Sequence, residues 1–346
     1  MEYNFSRYWI SKVLESGRKQ RRKPFLKSIL IFGLPFDLLL ATFFWDRHGI
    51  IPSRFIIPFL LALLWVNISP YLIWYYDQAL LPGFFDRAEY LVHKQDILAR
   101  LARKYDTLFA NRSWILTIPW IILIVAIVNP LDFILKNAGV IYGFHDPWYW
   151  LFMFAVIWVA FLAGVGSWGV VTTLLALREF GKSELVIDPL HHDNRGGLSC
   201  VGYYAIGTTV LFASGSLLLP LAFALALRAS VSTFLLIAVA IYSILILLSF
   251  IYPTFTVNQK ARTLRDLALE KLKKKHDQLQ EELEKGTIKQ NTKMIALYLE
   301  LHKTRMEYEG YRQVNLYPLN MDILATLVSS VMLPFFFVLI QYYWFR

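Results

Sequence analysis

The sequence predicts an all-α, polytopic integral membrane protein of seven transmembrane helices, with the N-terminus cytoplasmic and the C-terminus outside. Cytoplasmic amphipathic helices are expected to add a helical bundle. Three observations predict this class. Of 346 residues, 57% are hydrophobic, 16% aromatic and only 17% charged, with a mean hydropathy of +0.46; soluble domains are roughly half apolar and about a quarter charged. The excess is gathered into runs of the ~20 residues needed to cross ~30 Å of hydrocarbon: Phe25 to Trp45, Phe55 to Tyr76, Trp114 to Leu135, Trp148 to Leu177, Tyr203 to Leu227, Val231 to Tyr252 and Met321 to Phe345. Finally, 30 of the 35 Lys and Arg fall in segments on the side of the N-terminus, leaving Arg47, Arg54, Lys136, Arg228 and Arg346 on the other. Such a bias marks the richer side as cytoplasmic. The net charge of +10 therefore reflects topology and implies no nucleic-acid partner.

Residues 1–24 read as a basic cytoplasmic segment. Tyr8 and Trp9 are placed for the membrane interface, and Arg18-Lys19-Gln20-Arg21-Arg22-Lys23 for anionic headgroups at the inner face. No small-residue cleavage site follows, so the first span is expected to be retained. Residues 25–257 hold spans one to six. The first contains Gly33, Pro35 and Asp37, the only acidic residue expected deep in any span. An ionisable group there is costly unless it faces protein or water. Two readings stand: Asp37 is a proton or cation site, or it is a neutral, protonated Asp bonded to Asn67 or Ser69 of the second span. That span carries Asn67-Ile68-Ser69-Pro70 at its middle. Pro70 removes a backbone donor and leaves a carbonyl one turn earlier unpaired, which predicts a kink with room for a cavity.

A stripe of Phe85, Ala88, Leu91, Leu98, Leu101, Tyr105 and Leu108 predicts a cytoplasmic helix over 84–109. It either lies on the inner leaflet or, as the length of the stripe favours, packs with the C-terminal hairpin. The third span contains Pro119 and ends at Asn129-Pro130-Leu131-Asp132. The fourth follows the aromatic belt Pro147-Trp148-Tyr149-Trp150 and continues to Arg178, far enough to protrude into the cytoplasm. Its Ala160, Gly164, Gly166, Ser167 and Gly169 suit close helix packing.

The next loop, Val186 to Leu198, is the least ordinary stretch. Asp188, His191, His192, Asp193, Asn194 and Arg195 crowd together before Gly196-Gly197. Imidazole and carboxylate suit a metal ion; Arg195 and the glycine amides suit a lipid or nucleotide phosphate. Adjacent His do not have the one-turn spacing of a helical zinc pair, and no GxxxxGK[ST] loop is present. A tight turn joining the fourth and fifth spans, an ion or headgroup site, and a catalytic site all remain open. The lone Cys200 excludes structural disulfides and zinc sites built from several cysteines. Gly207, Thr208, Thr209, Ser214, Gly215, Ser216 and Pro220 predict tight packing or a wet cavity in the fifth span. The sixth is almost uniformly aliphatic, suiting lipid exposure, and exits at Tyr252-Pro253.

Residues 258–314 read as a cytoplasmic hairpin joined at Glu284-Lys285-Gly286-Thr287, with Thr287 and Gln290 as a capping box. Met294, Leu297, Leu301, Thr304, Tyr308 and Tyr311 form a heptad stripe, answered by Leu264, Ala268, Leu272, Leu279 and Leu283. Residues 315–346 supply the last span, with Asp322 at its inner end, Ser329 and Ser330 midway, Pro334, and an aromatic close.

Within that span Pro334-Phe335, then Phe336 to Ile340, then Gln341-Tyr342 follow the spacing of a Thr-Tyr, five apolar residues, Gln-Phe ending. Gln341 is identical, Phe335 and Tyr342 keep aromatic character, and Pro334 departs. In this and in its inverted topology the chain resembles the seven-transmembrane ion channel superfamily of insect olfactory and gustatory receptors and their relatives. The resemblance implies a cytoplasmic helical anchor joining four subunits and a last span lining a shared cation pore, with Ser329, Ser330 and Gln341 facing it. Over about ten residues the His191 loop also resembles an HPDxxGGL loop of uncharacterised polytopic prokaryotic membrane proteins, with His192 at the Pro position; this implies no activity.

The leading functional expectation is an oligomeric ion channel of the cell membrane, chemoreceptor-like and ligand-gated, assembled as a homo-oligomer through its cytoplasmic helices. One alternative is a proton- or cation-coupled transporter using Asp37, with Asn67 beside it, although no inverted repeat with paired broken helices is present. Another is a membrane sensor or scaffold without transport. No nucleophile, base and orienting group stand together, so neither enzymatic activity nor a cofactor is expected.

Overall fold

The computed structural model describes residues 7–16, 23–47, 55–92, 95–128, 141, 143–191, 193–226, 232–285, 291–314, 316 and 321–344. The predicted features at Arg18 to Arg22, Asn129 to Asp132, His192 and Gly286 to Gln290 lie outside them. A short helix α1, Trp9–Glu15, precedes the first span, α2, Pro24–Asp46. The second span is α3, Ile56–Leu91. Next come α4, Gln95–Arg112, and α5, Trp114–Val128, which together give the third span. The fourth is α6, Pro147–Phe180. The fifth consists of α7, Ser199–Ala213, a 3-10 turn at Ser214–Leu218, and α8, Leu219–Ala226. Then follow α9, Ser232–Lys285, α10, Asn291–Gln313, and the last span α11, Met321–Trp344. Seven of these stretches are long and apolar enough to cross a membrane, and the chain is a multi-pass helical membrane protein.

Among the spans α3 is the most enclosed, with 44% of its most apolar window buried against 17% for α2. It lies beside α6 and α7, whose small residues admit it. Two clusters of buried side chains run along the bundle. The larger joins α1, the second half of α3, α4, α6, α7 and the base of the hairpin through Ile10, Phe85, Leu98, Phe109, Phe180, Tyr204 and Val314. The smaller, at the opposite end, contains Phe43, Phe55, Phe59, Ile141, Tyr149 and Ala224. There Arg47 pairs with the buried Asp146 at 2.7 Å, and Trp148 Nε1 donates to Asp46 at 2.7 Å. Asp146 also caps α6 by accepting from the Trp148 N–H.

Two segments differ from those read in the sequence. The segment 84–109 is not one helix: its first part prolongs α3, Val92 is extended and pairs with Leu185, and α4 starts afresh at Gln95. The apolar face of α4 settles on α6, where Trp168 Nε1 donates to the Leu108 carbonyl at 3.1 Å and Tyr105 to the Leu175 carbonyl at 2.9 Å. The sixth span does not stop at Tyr252-Pro253 either. Helix α9 runs unbroken through Pro253 for 54 residues, roughly 80 Å at 1.5 Å per residue; the backbone bond that Pro253 removes is tolerated because neighbouring helices pack along α9. Beyond the spans α9 packs on α10, and Lys275 meets Glu300 across the pair at 2.9 Å.

Candidate functional site

Three buried polar side chains, Asn67, Ser69 and Asp77, stand along α3. Three residues before Pro70 stands Asn67, buried against α2. Its Nδ2 donates to Asp37 Oδ1 at 2.8 Å and to the Leu63 carbonyl at 3.0 Å. Its backbone carbonyl accepts from Ser28 Oγ at 2.8 Å. Close approach is permitted by Gly33, where an added Cβ would stand 1.7 Å from Asn67 Oδ1. A π-turn at Ser28–Gly33 sets Ser28 and Gly33 against the same neighbour. Ser69 turns instead to the Val66 carbonyl, at 3.5 Å, which is the carbonyl that Pro70 leaves without its helical donor. The structure thus brings Asp37 and Asn67 together.

Two turns further along, between α3, α6 and α7, lies a cavity of about 40 Å³ lined by Trp65, Ser69, Tyr76, Gly169, Thr208 and Ser214 among others. That is room for about two or three water molecules. At one end Trp65 Nε1 donates to Ser214 Oγ at 3.3 Å. At the other, four buried hydroxyls are linked at 3.0 Å each: Tyr204 with Tyr76, Tyr76 with Thr173, and Thr173 with Thr208. Thr208 also donates to the Tyr204 carbonyl at 3.0 Å, which can only accept. Its proton is therefore committed there, making Thr173 the donor to Thr208, Tyr76 the donor to Thr173, and Tyr204 the donor to Tyr76. Every hydroxyl is satisfied without water.

Tyr76 opens a second π-turn, Tyr76–Leu80, and the residue after it is Asp77, fully buried. Its carboxylate accepts from the Tyr8 N–H at 3.0 Å and from Gln78 Nε2 at 2.8 Å, and the buried Ser11 hydroxyl lies beside it. Asp77 therefore caps the start of α1 from another helix. Trp74 Nε1 secures the far end of α1 by donating to Glu15 at 3.0 Å. The tilted rings of Tyr8 and Phe109, and of Phe109 and Tyr76, pack with centroids 5.6 and 4.7 Å apart, so Tyr8 backs the Phe109 and Tyr76 side chains that line this end of the cavity. The sequence reading ends the second span at Tyr76, one residue before Asp77; the apolar face that continues from Leu80 to Leu91 is the signal that the helix runs on through it.

In the loop after α6, Asp193 organises the turn. It accepts from the N–H groups of Arg195 at 2.8 Å, Gly197 at 3.0 Å and Ser199 at 3.2 Å, and from the Ser199 hydroxyl at 2.8 Å. His191 Nδ1 stands 2.8 Å from the same carboxylate. Burial pushes the Asp193 carboxyl up, but the amides of Arg195 and Gly197, the Ser199 hydroxyl and His191 hold it down at about 2. Asp188 accepts from the N–H of Leu190 at 2.9 Å, and Arg195 is half-buried. Gly196 and Gly197 have φ of +64° and +90°, where a side chain is strained. They press on Ile187 and Leu91, and Val314 at the base of α10 lies beside Gly196. Among the described residues no group of three His, Cys, Asp or Glu is arranged for a metal ion. Both of the Asp193 oxygens are already engaged, and the loop docks the hairpin base.

On α11 the two serines part company. Ser329 is exposed, while Ser330 is buried. Each donates within its own helix, to the Ala325 carbonyl at 2.8 Å and the Thr326 carbonyl at 2.7 Å. The backbone of Gln341 belongs to α11; its side chain lies outside the described residues. No family model, no curated protein and no solved structure matches the chain.

Proposed function

We propose that this multi-pass membrane protein is an oligomeric ion channel, chemoreceptor-like and ligand-gated, with copies joined through the α9–α10 hairpin and ions passing beside α11. One observation carries the proposal: Ile295, Tyr298, Leu299 and Met306 stand exposed on α10, beyond the spans. An apolar stripe of this kind in water calls for a partner, and a second copy of the hairpin supplies the same stripe. Helix α10 is followed directly by α11, so movement in the hairpin has a short route to the membrane. Of the two serines, Ser329 is the one available to a pore shared between copies.

The experiment is conductance of the purified protein in planar bilayers, with mass photometry of the same preparation. Unitary currents from an oligomer, blocked or reshaped by Ser329→Trp, support the channel. Currents indifferent to Ser329→Trp move the pore away from α11, and a monomeric protein removes the channel. A second reading, a proton- or cation-coupled transporter, is favoured by the Asp37–Asn67 hydrogen bond. Asp37→Asn separates the two: a transporter loses coupling and the channel still conducts.

A further inference from the structure

We infer that the α9–α10 hairpins of two copies hold a divalent transition-metal ion of the zinc class between them, on the imidazoles of His276 and His302 from each. The inference rests on the proposed contact between copies at α10 and names what sits in it. The starting point is the chemistry of the exposed stripe. Ile295, Leu299, His302 and Met306 follow one another at spacings of four, three and four along α10, and all four are exposed, so an imidazole stands in the middle of an otherwise apolar face. His276 reaches the same place from α9. It and His302 line one groove of about 460 Å³, together with Ile295, Leu299 and Leu301. The pairing of Lys275 with Glu300 fixes the register of the two helices. His276 is thereby level with Leu299, and His302 stands three residues nearer the membrane, about 4.5 Å along the axis at 1.5 Å per residue. Two imidazole side chains span that offset.

One copy makes only half of a site. Among the described residues of a single chain no group of three His, Cys, Asp or Glu is arranged for a metal ion, and two imidazoles leave a tetrahedral ion half-coordinated. The bilayer supplies the rest of the geometry. Because α10 leads into the last span, copies in one membrane carry their hairpins at one height and in one direction. Stripe then meets stripe in register, and each His302 faces its own counterpart. Four imidazoles gathered between apolar faces lose their water and need partners; one ion takes a lone pair from each, the all-nitrogen set that suits zinc and its neighbours. The charges around them permit it. Asp277 Oδ1 lies 3.6 Å from His276 Nδ1, which favours the proton on that nitrogen and leaves Nε2 for the metal. Arg305 also lines the groove, and Glu309 meets its charge at 3.1 Å.

The test uses the full-length protein without a histidine tag, stripped by a chelator, reloaded with zinc chloride and desalted, with zinc content and particle mass in detergent read on the same sample. One zinc for every two copies is expected, and zinc should raise the share of assembled particles. Both effects should be lost in His276→Ala and in His302→Ala and kept in His145→Ala, which lies outside the hairpin. Should a variant fail to fold, the parent protein decides: cobalt(II) in place of zinc is expected to show the visible absorption of a tetrahedral site. Zinc retained by both hairpin variants, one zinc per copy, or a parent protein that takes up neither ion overturns the inference. An oligomer that binds no zinc removes the metal and leaves the contact between copies standing; a monomer that binds none removes both.

Discussion

The backbone N–H of Tyr8 and the carboxylate of Asp77 meet at 3.0 Å inside the bundle, joining the first helix of the chain to the π-turn of its most enclosed span. A helix start leaves N–H groups without intrahelical partners, and Asp77 answers one of them from a different element. Removing the carboxylate strands that donor in a buried site, at a cost of about 1–3 kcal/mol. Asp77→Ala is therefore expected to release α1, with hydrogen exchange over Trp9 to Glu15 rising well before global unfolding. Asp77→Asn keeps an acceptor and is expected to lose less. Equal protection of α1 in all three proteins would show that Tyr8, Ile10 and Leu14 hold it by packing alone.

The directed run of hydroxyls makes an asymmetric prediction. Tyr76→Phe removes both the acceptor for Tyr204 and the donor to Thr173, leaving a buried phenol unpaired, and about 1–3 kcal/mol of stability is expected to go. Tyr204→Phe removes only the first donor. Tyr76 still donates to Thr173, and the loss should stay near 0.5–1.5 kcal/mol. Chemical unfolding of the two variants in one detergent gives the comparison. Equal losses would mean that the protons run the other way round.

Asp193 gives a pH signature outside the spans. Its carboxyl is held at about 2 in the folded protein, below the ~3.9 of an unfolded Asp. The sign follows from linkage: the stabilisation is fully present above the unfolded value and is lost as pH falls through the folded one. Asp193→Ala should therefore be less stable than the parent at neutral pH, by about 1–3 kcal/mol for the stranded amides. The gap should stay constant down to about pH 5 and narrow below about pH 4. Unfolding midpoints of both proteins across that range check it; a gap independent of pH would assign the loss to the glycine turn rather than to the charge.

Apolar runs made the spans legible, because crossing hydrocarbon demands length and composition that no other element needs. The pairing of Asp37 with Asn67 was also within reach, since both stand near the middle of consecutive spans. Asp77 was not. A run of apolar residues ends at its first charge, so the second span reads as ending at Tyr76, whereas the helix continues because Leu81, Phe84, Phe85 and Leu91 still have a core to enter. The same physics hid the passage of α9 through Pro253. Composition changes there while the backbone does not. In the loop, Asp193 looked like a ligand because its neighbours are chemically rich; only the hydrogen bonds from the Arg195, Gly197 and Ser199 amides show that those neighbours turn their N–H groups onto it.

On α10, Ile295, Tyr298, Leu299 and Met306 are between 55% and 67% exposed, and Ile295, Leu299 and Met306 recur on one face at spacings of one and two turns. Residues so exposed contribute little to the fold of a single copy, and changing them should move its stability by no more than about 0.5 kcal/mol. Their burial between two hairpins is another matter, since each large apolar side chain taken from water is worth about 1.5–3 kcal/mol. The double substitution Leu299→Glu with Met306→Glu places carboxylates on that face. It leaves Lys275–Glu300 untouched, so the hairpin itself should persist. The expected outcome is a smaller particle mass in detergent with an unchanged unfolding midpoint. A smaller mass with a lowered midpoint would mean that the hairpin had come apart, and an unchanged mass would take the contact between copies away from α10.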